Sequence, residues 1–444
     1  MQIVREVVGD VIQVAGDVKI QLIPKKAVAI VIAIAVLIIS VILVKGFFEF
    51  RVFRHIQLND CVMGSGPLKV GISSFQVYGG SSKIGKDFSE RLARSLSPTL
   101  EGIATIWNGC IDVEGDNALE QENNAFRTAR DLGLDIVIYG NIRFQGNIWK
   151  VEPKFTLYDE GTSAFYGAHE VLGSHTLGTP IEIGSSIKGS LALVSSEVLE
   201  QRISLLAMLL RGIYYYASAQ YDKAIASFHE GIEFMESNEK MGLQDEASIK
   251  ALFYLFWGNA KGKQNELKEA LNFYQEALSL KPGYPRAFIG MGSIHYLLAL
   301  EAFSSSQKPT LTDAVDELNE AIRAYDKASH LCAGLETCGC LLPKISFGKG
   351  QTFLLWAFVL SKRGEKAEGM LETAQQTFLE TIELTRRCEG AQEIRSESFA
   401  RLGLISLQKG NLRLAQEWYR KAYETAVSPQ RRAFFKERLE RLSK

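Results

Sequence analysis

The chain has 444 residues, of which 46% are hydrophobic and 23% charged, and its 50 basic and 51 acidic side chains leave a net charge of −1. This composition excludes a wholly disordered chain, and the charge balance argues against a protein that coats nucleic acid or an anionic membrane. Six cysteines are too few for a disulfide-based scaffold. The length predicts two to three domains.

Residues 1–26 form a leader ahead of the first strongly apolar stretch. It carries two Gly-Asp-Val units, at 9–11 and 16–18, and the alternating apolar residues around them favour a short hairpin. A disordered tail is the alternative.

Residues 27–48 predict a single transmembrane helix. The stretch from Ala27 to Val44 lacks charge, and its length of about 27 Å at about 1.5 Å per residue matches the core of a bilayer. The alternatives are a buried core helix and a cleaved signal peptide. Lysines at both edges argue against the first, and the long polar lead without a small-x-small site argues against the second.

The orientation of this helix is not decided by charge. The twenty residues before Ala27 contain Lys19, Lys25 and Lys26, and the twenty residues after Val44 contain Lys45, Arg51 and Arg54. A short tail inside and a large domain outside is the default for one amino-terminal anchor. We therefore expect a single-pass cell-membrane protein whose large carboxyl-terminal region is extracytoplasmic.

Residues 66–175 predict a small α/β domain. Ile84, Phe88, Leu92 and Leu96 are spaced four apart, as on one face of a helix. The predicted elements are strand 68–75, helix 84–100, strand 103–107, helix 118–132 capped by Gly133, strand 134–142, and a hairpin of strands 149–158 and 164–172.

A known family shares several of these features. The run VGISSF, the Leu132-Gly133-Leu134-Asp135 segment and Tyr139-Gly140-Asn141 resemble the amino-terminal domain of TolB-type proteins, to which domains of CsgG- and FlgO-like bacterial envelope proteins are related. The turn Tyr158–Thr162 departs from the Thr-Gly of that pattern. The resemblance implies a domain for binding an envelope partner or for assembly, without catalysis.

A second motif in this domain competes with that interpretation. Residues 80–86 read Gly-x-x-x-x-Gly-Lys between a predicted strand and a predicted helix, where a phosphate-binding loop belongs. Asp87 follows in place of the Ser or Thr that binds magnesium. A Gly-Ser turn before an ordinary helix is the alternative.

Residues 180–444 are predicted to be helical, with a 34-residue period. Small residues recur where two helices approach closely, and a large aromatic residue recurs where it fills the space between them. The residues that fit are Gly212, Ala224, Phe228, Gly258, Ala270, Tyr274, Ala277, Pro282, Gly292, Gly403, Ala415, Tyr419 and Ala422. This pattern is identified as the tetratricopeptide repeat. We count five repeats, two of them irregular, and a charged terminal helix at 430–442. The expected fold class is thus multidomain α+β, with one transmembrane helix, a small sheet domain and an all-α superhelix.

The repeat family implies a groove lined by the first helix of each repeat. Carried over to this chain, the groove positions are Leu209, Ile213, Tyr216, Leu255, Asn259, Arg286, Ser293, Tyr296, Phe358, Leu404 and Leu407. This largely apolar set predicts an apolar or amphipathic peptide, or another helix, as the ligand. The alternative is that the apolar members pack inside the superhelix.

Three cysteines and a histidine lie close together between two repeats. A disulfide from Cys332 to Cys338 or Cys340 is the natural interpretation outside the cytoplasm. Free buried thiols and, less readily, a metal site with His330 are the alternatives.

These features favour a membrane-anchored scaffold that binds a protein partner and is not an enzyme, with no cofactor and no metal. The alternative is a membrane-bound sensor whose α/β domain binds a small ligand. A nucleotide-binding enzyme that uses residues 80–86 is a third hypothesis.

Overall fold

The computed structural model describes residues 61–159, 168–184, 197–237, 246–304, 309–334 and 338–442. The predicted leader and transmembrane helix lie outside these residues. Cys61–Lys444 is one compact unit, so the segments predicted as a sheet domain and a helical array belong to the same body.

Eight strands in the described part of the chain form one mixed sheet. They are β1 Val62–Met63, β2 Leu68–Ser74, β3 Gln76–Tyr78, β4 Ala104–Asp112, β5 Ile136–Gln145, β6 Ile148–Leu157, β7 Gly173–Thr176 and β8 Ile181–Gly184. The order is β1-β4-β2-β5-β6-β7, with β3 also paired to β5 and β8 also paired to β6. Strands β4, β2 and β5 are parallel, whereas β6 runs antiparallel to β5 and to both β7 and β8.

Two helices, α1 Ser82–Thr99 and α2 Ala118–Leu132, accompany the sheet. The prediction for α2 is confirmed, including its end: Gly133 has φ 64° and its N–H reaches the last carbonyls of the helix. Asn117 caps the other end by accepting a hydrogen bond from the Glu120 N–H.

The predicted strand 149–158 is confirmed as β6, but the strand predicted at 164–172, its hairpin partner, is wrong at residues 168–172, the part that the structure describes. β6 instead forms its hairpin with β5, through a turn in which Gly146 has φ 64°. Residues 160–167 lie outside the described ranges, and residues 168–172 form no strand. The carbonyls of that stretch are hydrogen-bonded to the helical array, so they are not available to a neighbouring strand.

The glycine motif at 80–86 does not form a phosphate-binding loop. Helix α1 already begins at Ser82, after the Ser81 cap, which leaves three residues between it and β3. Gly85 lies inside the helix, where a Cβ would stand 1.9 Å from the Phe75 carbonyl oxygen. This glycine therefore permits close packing of the helix on the strand.

The rest of the described chain is helical. The helices are α3 Glu197–Ala217, α4 Tyr221–Ser237, α5 Glu246–Lys263, α6 Leu267–Leu280, α7 Pro285–Ser304, α8 Pro309–Cys332, α9 Leu342–Arg363, α10 Glu368–Leu384, α11 Gln392–Gln408, α12 Leu412–Thr425 and α13 Pro429–Leu442. They form five successive helix pairs, α3/α4 to α11/α12, followed by α13. Among the described helices, α7 alone is long and apolar enough to cross a membrane; core helices also meet this criterion, and α7 packs against α6 and α8.

The recurring glycines lie against aromatic rings of the second helix in each pair. A Cβ at Gly212 would stand 2.2 Å from the Phe228 ring, and one at Gly403 would stand 2.8 Å from the Tyr419 ring. Gly258 faces Tyr274 in the same way, and the small residues Ala224, Ala270, Ala277, Ala415 and Ala422 are fully buried. In the irregular third pair, Gly292 lies against Tyr325 of α8.

Candidate functional site

The sheet domain lies against the first helices of four repeats, α3, α5, α7 and α9. These four helices and α11 together form what we call the inner face. Residues 168–177, here called the groove segment, make the central contact. Arg286 of α7 donates hydrogen bonds to three alternate carbonyls of this segment, at 2.6 Å to Glu170, 2.8 Å to Leu172 and 2.6 Å to Ser174. A charged donor gives stronger hydrogen bonds than a neutral one, so Arg286 holds the segment firmly.

The side chain of Glu170 is held by the array as well. One carboxylate oxygen, Oε1, accepts hydrogen bonds from the Tyr274 hydroxyl at 2.6 Å and from the Asn259 amide. The other, Oε2, is buried and has no hydrogen-bond donor in the described structure. Lys344 of α9 adds a 2.6 Å hydrogen bond to the Leu172 carbonyl, so four helices contribute to this contact.

The contact contains buried charges of both signs. Burial raises the pKa of Glu122 on α2, and this rise is partly offset by Arg286 and Lys344 and by the Ser174 N–H, which donates to the carboxylate at 3.2 Å. Burial lowers the pKa of Arg286, and burial together with the neighbouring Arg286 lowers the pKa of Lys344 to about 7. The opposite charges nearby compensate part of the desolvation cost on each side.

Two histidines of the groove segment are neutral at neutral pH. Burial and the nearby Lys344 lower the pKa of His169 to about 4, and burial and Arg286 lower the pKa of His175 well below its usual value. The ring of His175 forms a 2.7 Å hydrogen bond with the Val171 carbonyl and stacks on Phe155. Both rings therefore act as packed structural groups.

A second contact joins α2 to the residues between α10 and α11, here called the 385–391 corner. The Glu389 carboxylate forms ion pairs of 3.1 Å with both Arg127 and Arg130 of α2. Asn123 of the same helix donates to the Arg387 carbonyl and accepts from the Glu389 N–H, each at 3.0 Å. The array therefore contacts the sheet domain at two separate places, the groove segment and helix α2.

The predicted groove residues divide into four groups. Leu209, Ile213, Tyr216 and Leu255 are fully buried in one core with the strands. Asn259 and Arg286 bind the groove segment, and Ser293 and Tyr296 line a cavity. Phe358, Leu404 and Leu407 remain half-buried.

The cavity, of about 480 Å³, lies between the sheet domain and the inner face of repeats 2–5. Leu157, Leu172 and His169 line it on the side of the sheet domain, and Tyr296 and Phe347 line it on the side of the array. Apolar atoms make up most of the cavity surface, as in sites that bind small molecules.

All six cysteines are paired. Cys332–Cys338 is one of the two pairings considered from the sequence, whereas Cys340 pairs with Cys388 and Cys61 with Cys110. The Cys340–Cys388 bond ends next to the 385–391 corner, and Cys61–Cys110 joins the start of the described chain to β4. Within the described ranges, no cluster of His, Cys, Asp and Glu has the arrangement of a metal site.

Comparison with known proteins identifies the helical array. The model of the tetratricopeptide repeat family matches residues 251–284 and 396–426, which cover most of the pairs α5/α6 and α11/α12. The chain therefore carries tetratricopeptide repeats.

Two solved structures match about half of this chain at low sequence identity. TTC0263, a tetratricopeptide repeat protein of Thermus thermophilus, is 17% identical over 52% of this chain and 97% of its own, with a TM-score of 0.38. BtubC of P. vanneervenii is 11% identical over 52% of this chain and 84% of its own, with a TM-score of 0.36. No curated protein matches the chain. The resemblance of residues 66–175 to TolB-type domains stays a prediction.

Proposed function

We propose that the protein is a membrane-anchored scaffold that binds a protein partner. The tetratricopeptide repeats carry this proposal, because the fold generally serves protein–protein interaction and not catalysis. The protein's own sheet domain occupies much of the inner face. The partner therefore binds the part of the inner face that remains half-exposed in repeats 4 and 5. Phe358 and Leu404 belong to that part.

The proposed location is the outer side of the cell membrane. The apolar stretch from Ala27 to Val44 supports the anchor, and the pairing of all six cysteines supports an oxidising compartment. A reporter that is active only outside the cytoplasm, fused after Lys444, is expected to give a signal. A signal from the matching cytoplasm-only reporter would contradict this location.

The partner surface can be tested by photo-crosslinking in cells. Leu404 lies on the same face of α11 as the cavity-lining residues Glu397 and Arg401. A benzoylphenylalanine placed at Leu404 is expected to crosslink a defined protein. The same probe at Leu412, which is 49% exposed on α12, is the control. No product at Leu404, or the same products at both positions, would contradict the proposal.

A second function, ligand-dependent regulation, is favoured by the cavity. Its walls come from the sheet domain and from the repeats, so a bound molecule would affect how tightly the two are held together. The sheet domain would then take part in sensing, as one hypothesis from the sequence expects, although the site would be shared with the array.

A further inference from the structure

We infer that the cavity binds a compact molecule without net charge, which carries amide-type N–H and C=O groups on an apolar or aromatic body. This inference rests on the second proposed function, ligand-dependent regulation. Four observations support it: the closure of the groove, the apolar walls, the balance of charges, and hydrogen-bonding atoms without partners.

The groove segment limits the size of the ligand. Repeat proteins commonly hold an extended peptide along the inner face, but here residues 168–177 occupy that face through their bonds to Arg286 and Lys344. A peptide that ran along all the repeats would have to displace this segment. The remaining space of about 480 Å³ lies within the range of small-molecule sites, about 300–1,000 Å³.

The walls call for an apolar body. Helix α7 presents Ile294, Tyr296, Leu297 and Leu300 to the cavity, and Phe347 of α9 lies beyond them. Leu297 and Leu300 are 37% and 36% exposed, which is unusual for leucines on an inner face. Covering them with an apolar or aromatic group would stabilise the bound state.

The wall carries equal numbers of acidic and basic side chains. Burial lowers the pKa of Lys344 and raises the pKa of Glu393, so the two groups whose charge is weakened are of opposite sign. The lining contains the carboxylates of Asp159, Glu170, Glu393 and Glu397 and the cationic groups of Lys263, Lys344, Arg401 and Arg431. Glu397 already forms ion pairs with both Arg401 and Arg431, at 3.7 and 3.1 Å. A net charge on the ligand would therefore enter a site with no spare counter-charge, which is costly in a buried place.

Several buried polar atoms on these residues have no partner in the described structure. Oε2 of Glu170, Oδ1 of Asn259 and Oε2 of Glu393 lack a donor, and Nε of Arg401 lacks an acceptor. Unpartnered buried polar atoms are rare and costly in folded proteins. A ligand with both N–H and C=O groups would supply the two kinds of partner at once.

The smallest probe with these properties is N-acetylphenylalanine amide. Two charged relatives control for its neutrality: N-acetylphenylalanine, which is an anion, and phenylalanine amide, which is a cation. Binding to the full chain in lipid nanodiscs is measured by saturation-transfer NMR, with the signal of empty nanodiscs subtracted. We expect the neutral amide to bind at least threefold more strongly than either charged relative.

Matched variants locate the binding. Leu300→Arg introduces a charge into the cavity wall and is expected to weaken binding of the neutral amide at least fivefold. Leu412→Arg introduces the same charge at an exposed leucine outside the cavity and should leave binding unchanged. Equal effects of the two variants would overturn the assignment of binding to the cavity. Equal binding of the three probes to the wild-type chain would also overturn the inference, and this comparison needs no variant.

A longer probe tests whether the ligand is compact. A capped decapeptide with phenylalanine at its centre should not displace the neutral amide. Displacement would show that the site takes an extended peptide. If none of the small probes binds, this inference is overturned. If the crosslinker at Leu404 still gives a defined product in that case, the proposed scaffold function is retained.

Discussion

Arg286 shows most clearly how single residues organise this protein. The repeat pattern predicts that it faces a groove, and in the structure it holds three carbonyls of the chain's own groove segment. It is 5% exposed and lies near the buried carboxylates of Glu122 and Glu170. One side chain therefore provides both hydrogen bonds and charge compensation at the centre of the contact.

Removing this side chain should destabilise the fold strongly. Arg286→Ala removes a donor from three carbonyls and removes one of the two cations near the buried carboxylates of Glu122 and Glu170. We expect the free energy of unfolding to fall by about 3–5 kcal/mol, measured by denaturant titration. Arg323→Ala removes an arginine whose side chain is 70% exposed, in an ion pair on the surface of α8, and should change it by less than about 1 kcal/mol. Equal losses would contradict the assigned role.

Lys344 predicts a dependence of stability on pH. Its pKa is lowered to about 7 in the folded protein, whereas an unfolded lysine titrates near 10.4. Between these pH values the unfolded state binds more protons, so stability rises as the pH rises. The free energy of unfolding of the wild type, relative to Lys344→Met, should therefore increase by up to about 1.4 kcal/mol per pH unit between about pH 7.5 and about pH 9.5. A constant or decreasing difference would contradict a neutral buried lysine.

The sequence predicts which residues of the array face inward but not what they contact. Asn259 and Arg286 are found from their positions in the repeat, since that period is local. The groove segment itself, AHEVLGSHTL, has no pattern that marks it as the occupant. Glu122 and Glu170 are likewise indistinguishable from solvent-exposed acids until the fold brings them next to Arg286.

At the scale of secondary-structure elements, the repeats depend on glycine where two helices touch. Phe228 is fully buried, and its ring lies where a Cβ at Gly212 would stand, 2.2 Å from the nearest ring atom. This close contact sets the distance between α3 and α4. The same relation recurs between Gly403 and Tyr419 at the other end of the array.

An alanine at this contact should therefore be costly. Gly212→Ala forces a buried ring or a helix to shift, and we expect a loss of about 1–3 kcal/mol in the free energy of unfolding. Gly369→Ala, in α10, meets nothing within 4 Å and should stabilise by about 0.4–1 kcal/mol. Denaturant titration of both variants distinguishes the effects, and a loss at Gly369 as large as at Gly212 would contradict the packing explanation.

The two disulfides of the array should differ in how much they stabilise it. Cys340 and Cys388 are separated by 48 residues, whereas Cys332 and Cys338 are separated by 6. A bond that closes a longer loop removes more entropy from the unfolded chain. Replacing Cys340 and Cys388 together by alanine should cost about 2 kcal/mol more than replacing Cys332 and Cys338. A larger loss from the short loop would contradict this ranking.

Local features of these elements can be read from the sequence, and long-range ones cannot. Helix α2 is predicted with its bounds because its cap and its apolar spacing are contiguous in the chain. The partners of Cys340 and Cys61 lie 48 and 49 residues away, and nothing near them in the sequence indicates the pairing. The strand predicted at 164–172 fails at residues 168–172 for the same reason, because the carbonyls of Glu170 and Leu172 bind a residue more than a hundred positions away.

At the scale of the whole molecule, the array and the sheet domain belong to one compact unit from Cys61 onward. The groove segment joins the sheet to repeats 2–4, and the 385–391 corner joins α2 to the end of repeat 4. The space left between these two contacts is the cavity. A ligand there would strengthen the hold of the repeats on the sheet domain, and a partner on repeats 4 and 5 could respond to that change.

Hydrogen exchange of the groove segment tests the central claim most directly, namely that the repeats hold the sheet domain of the same chain. In the full chain in nanodiscs, followed by mass spectrometry, we expect the amides of residues 171–177 to exchange about as slowly as those of β5. They should exchange much faster in Arg286→Ala while β5 stays protected. Fast exchange of this segment in the wild type, at the rate of exposed loops, would contradict the claim, because the inner face would then be free.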